Sequence, residues 1–137
     1  MNYIPKYFEF SDFDQHGLPG SGKEHMDRFF LKKLDELVER YCALSGDTPA
    51  KGILRISSGY RSPEYNARVS KTGLTGPHTT GRAVDISCSG VKQRRVLKVA
   101  LDMDIPGIGP DARSARGSRY VHIDYAREAN DLQFWTY

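Results

Sequence analysis

The sequence predicts an α+β fold, a small and mostly antiparallel sheet flanked by helices. Three observations carry this reading. Helix-like and strand-like segments are interspersed along the chain, no internal repeat or linker separates them, and 137 residues is the size of one domain with a real core. Residues 1–137 are therefore read as a single domain.

Taken in order, residues 1–25 are aromatic, acidic and Gly-rich, and read as an extended lead-in. Residues 25–44 form the clearest helix, because Met26, Phe29, Phe30, Leu34, Leu37, Val38 and Tyr41 recur at three- and four-residue steps. The turn-forming "SGDTP" ends it. "GILRISS" (52–58) alternates and reads as a strand. "SPEYNARVSK" (62–71) reads as a short helix with Ser62 at the N-cap and Pro63 in the first position. "TGLTGPHTTG" is a loop and "RAVDIS" (82–87) a strand. Residues 89–103 form a second amphipathic helix that starts after Ser89, and "PGIGP" reads as a turn with room for a short strand. "RYVHIDY" (119–125) is a strand, and the tail "NDLQFWTY" adds an edge element or packs on the core.

Composition narrows the function classes. The chain is 39% hydrophobic and 27% charged, which fits a soluble globular protein. No apolar run approaches the roughly 20 residues of a membrane span. The first residues lack a basic stretch followed by an apolar one, so synthesis in the cytoplasm without a signal peptide is expected. Net charge is +3, too mildly basic to point to a nucleic-acid partner. "KQRRVLK" (92–98) reads as a solvated helix face. "RSARGSR" (113–119) is a loop, either plain surface or attractive to an anionic polymer or a peptide carboxylate. Cys42 and Cys88 match no zinc or redox spacing and are expected as reduced thiols, and a monomer is expected.

Two stretches invite a chemical reading. "GLPGSGKE" (17–24) has the glycine and lysine spacing of a phosphate loop, but Glu24 replaces the required hydroxyl and the preceding "SDFDQH" is no buried strand. A loop leading into the first long helix is the better reading. The other stretch is "GPHTTGRAVDIS" (76–87), taken together with "RYVHIDY". Alternate strand residues share a face, so Tyr120, His122 and Asp124 lie together, as do Val84 and Ile86 with Asp85 opposite them. A carboxylate pointing inward from a strand is costly unless paired or metal-bound. If the two strands are neighbours, Asp85 meets His122 and His78 descends from the loop. Two imidazoles and a carboxylate make a three-ligand zinc set with a position left open for water.

The pattern "SSGYRSPEYNARVS…GPHTTGRAVDIS…RYVHIDY" resembles the zinc D-Ala-D-Ala carboxypeptidase family. That family includes the vancomycin-resistance dipeptidases and phage L-alanyl-D-glutamate endolysins, and it is related in fold to the hedgehog signalling domain. The resemblance covers residues 52–125, and the lead-in "FEFSDFDQHGLPGSGKEHM" also looks like phage members. It implies a hedgehog/DD-peptidase fold and zinc held by His78, Asp85 and His122, with Arg61 of "SGYRS" holding a substrate carboxylate or carbonyl. The implied substrate is a peptidoglycan stem peptide containing D-residues, with terminal trimming and cutting within the stem both compatible. Action on the cell wall, as a phage or prophage product, is implied in turn.

The chain departs from the family pattern at two positions. A Ser common two residues before the first ligand is Gly76 here, and an acidic base common three residues before the last His is Arg119. Asp124 is the first candidate for the base, with an orienting role behind a ligand as its alternative, and Asp111 is the second candidate. Zinc in such a site lowers the pKa of water from about 15.7 to about 7. A non-catalytic zinc domain for cell-wall recognition, or a structural phage domain, is the competing reading.

Overall fold

A computed structural model describes residues 2–126 and 133–137. Four α-helices and five strands make an α+β fold: α1 (Ser21–His25), α2 (Arg28–Ser45), β1 (Arg55–Ser58), α3 (Pro63–Val69), β2 (Ala83–Ser87), α4 (Gly90–Asp102), β3 (Gly107–Asp111), β4 (Tyr120–Asp124) and β5 (Gln133–Phe134). The strands are ordered β1-β2-β4-β3-β5.

The helices end where local chemistry demands. Asp27 caps α2 by accepting the Phe30 N–H, and Gly46 closes its far end in the left-handed conformation at φ 85°. Ser62 caps α3 by accepting the Tyr65 N–H, with Pro63 in the first turn. One face of α2 buries Phe30, Leu31, Leu34, Leu37 and Val38. These join Val96 and Val99 of α4 and the Val84, Ile86, Val121 and Ile123 face of the sheet in one core. Apolar burial at that face fixes the register, and with it which residues of β2 and β4 point the other way.

The sheet is mixed rather than plainly antiparallel. Pairings β1–β2, β2–β4 and β3–β4 are antiparallel, but β5 runs parallel to β3. The stretch "PGIGP", read as a turn with room for a short strand, is instead mostly strand, since β3 runs from Gly107 to Asp111. Its glycines leave no side-chain alternation to read, and Pro110 lies beyond the two residues that β5 pairs with, an edge position where a missing N–H costs no ladder bond. The tail forms the expected edge element from Gln133, while residues 130–132 of that stretch lie outside the described residues.

The lead-in is not wholly extended. It holds a 3-10 turn at Phe10–Phe13 and the short α1. The buried carboxylate of Asp35 ties it to α2, accepting from the Tyr3 hydroxyl at 2.5 Å and from the Lys6 and Tyr7 N–H groups at 2.9 and 3.2 Å. The phosphate-loop lookalike is occupied from within, because the Asp14 carboxylate accepts the Gly20 and Gly22 N–H groups at 3.1 and 2.8 Å. Cys42 and Cys88 are free and buried. Among the described residues no helix is long and apolar enough to cross a membrane.

Candidate metal centre

The sheet face opposite the helical core carries the site. Asp85 of β2 pairs directly with His122 of β4, which pairs in turn with Gly109 of β3. His78 arrives from the 3-10 turn Pro77–Thr80, whose first position Pro77 is suited to start. One ligand atom each from His78, Asp85 and His122 lies within 4.8 Å of the others, and all three residues are buried.

Each imidazole has its outer nitrogen committed. His78 Nδ1 lies 2.8 Å from the Gly59 carbonyl, an acceptor, so Nδ1 carries the proton. That leaves the Nε2 lone pair, 3.4 Å from Asp85 Oδ1. His122 is the mirror case. Its Nε2 lies 2.8 Å from Asp124 Oδ2, while Nδ1 lies 3.0 Å from Asp85 Oδ1. A carboxylate behind one ring and a carbonyl behind the other thus turn two lone pairs toward one oxygen, the arrangement that metal-binding histidines use. Two neutral imidazoles and a carboxylate suit zinc in donor type and number.

The electrostatics agree. Burial opposes ionisation of Asp85, but hydrogen bonds from His122 and His78 and their charge outweigh it and hold the carboxyl below its usual range. Burial likewise disfavours the His122 imidazolium, yet hydrogen bonds to Asp124 and Asp85 and their charge raise its pKa above the ordinary 6.5. In the metal-free protein a proton therefore holds the Nδ1 position until pH rises past that raised value. A metal must displace it. Zinc affinity is expected to be flat at high pH and to fall, by up to about tenfold per pH unit for one proton, as pH drops through the His122 pKa. Competition titrations with a chromophoric chelator between pH 8.5 and 5.5 check this, and an affinity independent of pH would contradict the proton competition.

Arg61 stands beside this set. Its Nη2 lies 3.8 Å from Asp85 Oδ2, its Nε donates to Ser58 Oγ at 3.2 Å and its Nη1 to Asn66 Oδ1 at 3.2 Å. Asn66 is wholly buried and spends its amide on Thr72 Oγ1 at 2.9 Å and the Gly73 carbonyl at 2.5 Å. Asn66 falls in the quoted stretch "SSGYRSPEYNARVS", where the sequence alone assigns it no role. A Cβ at Gly76 would overlap Thr72 and the Asn66 amide, so a serine at this position would not fit without a shift of both.

Arg61, His78, Asp85 and His122 line a cavity of about 1160 Å³. That exceeds the ~300–1,000 Å³ of small-molecule sites and accommodates a peptide. Tyr120, which alternation placed on the His122 face, also lines it, and so do Trp135 and Tyr137, which the sequence did not single out. Asp124 does not line it. It has no exposed surface, and besides His122 it accepts the Ala126 N–H at 3.2 Å. Asp111 is also absent from the lining, and its Oδ1 accepts the Arg113 and Ser114 N–H groups at 3.1 and 3.4 Å as the head of a turn. Arg119 donates its Nε to the Ser114 carbonyl at 3.0 Å and braces the same loop.

Comparison with known proteins bears on this geometry. A family model described as peptidoglycan L,D-endopeptidase MepK matches residues 21–128, most of the chain and all three candidate ligands. The chain belongs to this peptidase family. Curated MepK proteins of Escherichia coli (strain K12) and Shigella flexneri are each 29% identical to it over 124 residues, covering 82% of this chain and 66% of theirs. The chain thus spans just under two thirds of the length of these relatives. No solved structure matches it. Membership in the MepK family agrees with the zinc carboxypeptidase resemblance of the sequence motifs, and makes peptide-bond hydrolysis the chemistry against which to weigh the site.

Proposed function

We propose that this chain is a zinc-dependent peptidase that cuts peptide bonds involving D-residues in peptidoglycan stem peptides. The observation that carries the reading is the convergence of His78 Nε2, Asp85 and His122 Nδ1 at the floor of a peptide-sized cavity, with both imidazole tautomers set from behind. His78, Asp85 and His122 would hold the metal. When bound, zinc supplies Lewis acidity and makes hydroxide available near neutral pH.

The protein's own residues do the rest. Asp124 holds the His122 proton on Nε2 and so leaves the Nδ1 lone pair for the metal, which makes it a positioning residue in this reading rather than the base. Arg61 offers a fixed guanidinium fork to a substrate carboxylate or to negative charge developing on the scissile carbonyl. Its two anchors, Ser58 and Asn66, limit the entropy lost on binding. Arg61→Ala is expected to keep zinc, to lose some stability because the buried Asn66 Oδ1 loses its donor, and to lower kcat/KM by at least about tenfold, roughly 1.4 kcal/mol of transition-state stabilisation. Steady-state kinetics on a defined muropeptide check it, and unchanged kinetics would reject the role.

The relatives are named L,D-endopeptidases, so a cut within the stem is the first outcome to seek, with release of terminal D-Ala the second. Mass spectrometry of products from muropeptides of defined stem length identifies the bond. One observation favours a second reading, zinc-dependent recognition of the wall without hydrolysis. Among the described residues Asp85 is the sole Asp or Glu side chain lining the cavity, and it is spoken for as a candidate ligand rather than as a proton acceptor for water. Zinc-loaded protein that binds muropeptides and leaves them intact would establish that second reading.

A further inference from the structure

Trp135 is the chain's single tryptophan, and the backbone delivers it to the metal site. The Gln133 N–H donates to the Pro106 carbonyl at 2.7 Å and the Trp135 N–H to the Ile108 carbonyl at 3.0 Å, which lays the tail along β3. At the β3 position paired with His122 the residue is Gly109, and a Cβ there would overlap the indole. The indole lies over that glycine with its centroid 5.3 Å from the His122 ring. Tyr137 continues the row, 6.3 Å from Trp135 and 5.4 Å from Tyr120. All three aromatic residues line the cavity, whose remaining lining is largely polar and includes the cations of Arg61 and Lys71.

These contacts exceed what holding His122 requires. Asp124 and the strand register already fix that ring, and a buttress would need neither Tyr137 nor an open side. Tyr137 is 41% exposed, so the row presents an accessible edge to the cavity. An aromatic surface that shares a cavity with cations is complementary to a ligand with one apolar part and one anionic part, which describes a peptide residue with a small aliphatic group and a free carboxylate.

We propose that Trp135 and Tyr137 form a specificity wall that takes the side chain of the substrate residue next to the scissile bond, while Arg61 and Lys71 take the carboxylate. This rests on the peptidase reading above. Distance selects the occupant. An extended peptide advances about 3.3–3.6 Å per residue, so a ring centred 5.3 Å from a candidate ligand reaches the residues flanking the cut. A sugar ring of the glycan strand is the rival occupant and is tested below.

The test uses zinc-loaded protein and a defined muropeptide, with three readouts: zinc content, the split of kcat from KM, and the emission of the lone tryptophan after rapid mixing. Trp135→Ala is expected to raise KM about tenfold with kcat and zinc content little changed, Trp135→Phe to recover most of the loss, and Tyr137→Ala to raise KM while keeping the fluorescent reporter. Wild-type emission is expected to change in the binding phase, before turnover, with the muropeptide but not with the peptide-free disaccharide. Loss of zinc in both Trp135 variants would make the indole a buttress of His122 and overturn the wall. So would an unchanged KM in Trp135→Ala, or in Tyr137→Ala should Trp135→Ala not fold, and so would an equal emission response to the disaccharide. Wild-type protein whose emission responds to muropeptide but which cuts none of it overturns the peptidase reading instead, and supports the wall as a peptide-binding surface.

Discussion

Purified His78→Ala and His122→Ala proteins are each expected to lose zinc and, with it, muropeptide turnover down to background, where the wild-type chain holds about one zinc. Each variant leaves two donors, and two donors do not make a structural or catalytic zinc site. The His122 change also leaves Asp85 and Asp124 without their shared partner in a buried place, so it should lower stability as well. His78→Gln keeps a polar side chain in place of the ring and separates loss of metal from loss of fold. Elemental analysis of folded variants checks this expectation, with circular dichroism as the control. Full zinc occupancy in either alanine variant would sink the ligand assignment.

Asp124→Asn is expected to weaken zinc binding by about 10–100-fold, the usual cost of disturbing a group behind a ligand histidine. The change is nearly isosteric, so packing against Gly107 and the Ala126 N–H is largely kept. What changes is the hold on His122. A neutral amide accepts the Nε2 proton more weakly, or rotates its NH2 toward the ring and favours the tautomer that puts the proton on Nδ1, where the metal must bind. With zinc in excess, turnover should recover to within a few-fold of wild type. The competing role makes the opposite demand. A general base would lose about 10²–10⁴-fold in turnover with zinc affinity unchanged. Measuring both quantities on one preparation decides between them.

Sequence legibility followed side-chain periodicity. Strands β2 and β4 were readable because Val84, Ile86, Val121 and Ile123 alternate with polar residues, and that same alternation set Asp85 and His122 on one face. Helices α2 and α4 were readable from their apolar spacing, and α3 from its Ser-Pro start. Strand β3 was not, because Gly107, Gly109 and Pro110 carry turn chemistry locally and serve a tertiary purpose instead. The glycines admit Asp124 and Trp135 against the backbone. The parallel pairing of β5 rests on two residues and leaves no periodic trace. Within the site, the three candidate ligands and Arg61 stood out by motif, whereas Trp135 and Tyr137 enter through a contact between the tail and a glycine 26 positions from Trp135. Asn66 was visible as part of a pattern, but its role depends on its being buried between Arg61 and the loop at Thr72–Gly73. A lone tryptophan in a short aromatic tail was the one local hint.

The most direct test of the central claim is an add-back titration. Protein stripped with a chelator is given zinc in sub-stoichiometric steps, and hydrolysis of one defined muropeptide is followed by mass spectrometry at pH 7.5. Cleavage is expected to be absent at the start, to rise linearly and to level off at one zinc per chain. Cleavage by the stripped protein, or none at any zinc level while the metal binds one to one, would contradict a zinc peptidase built on His78, Asp85 and His122.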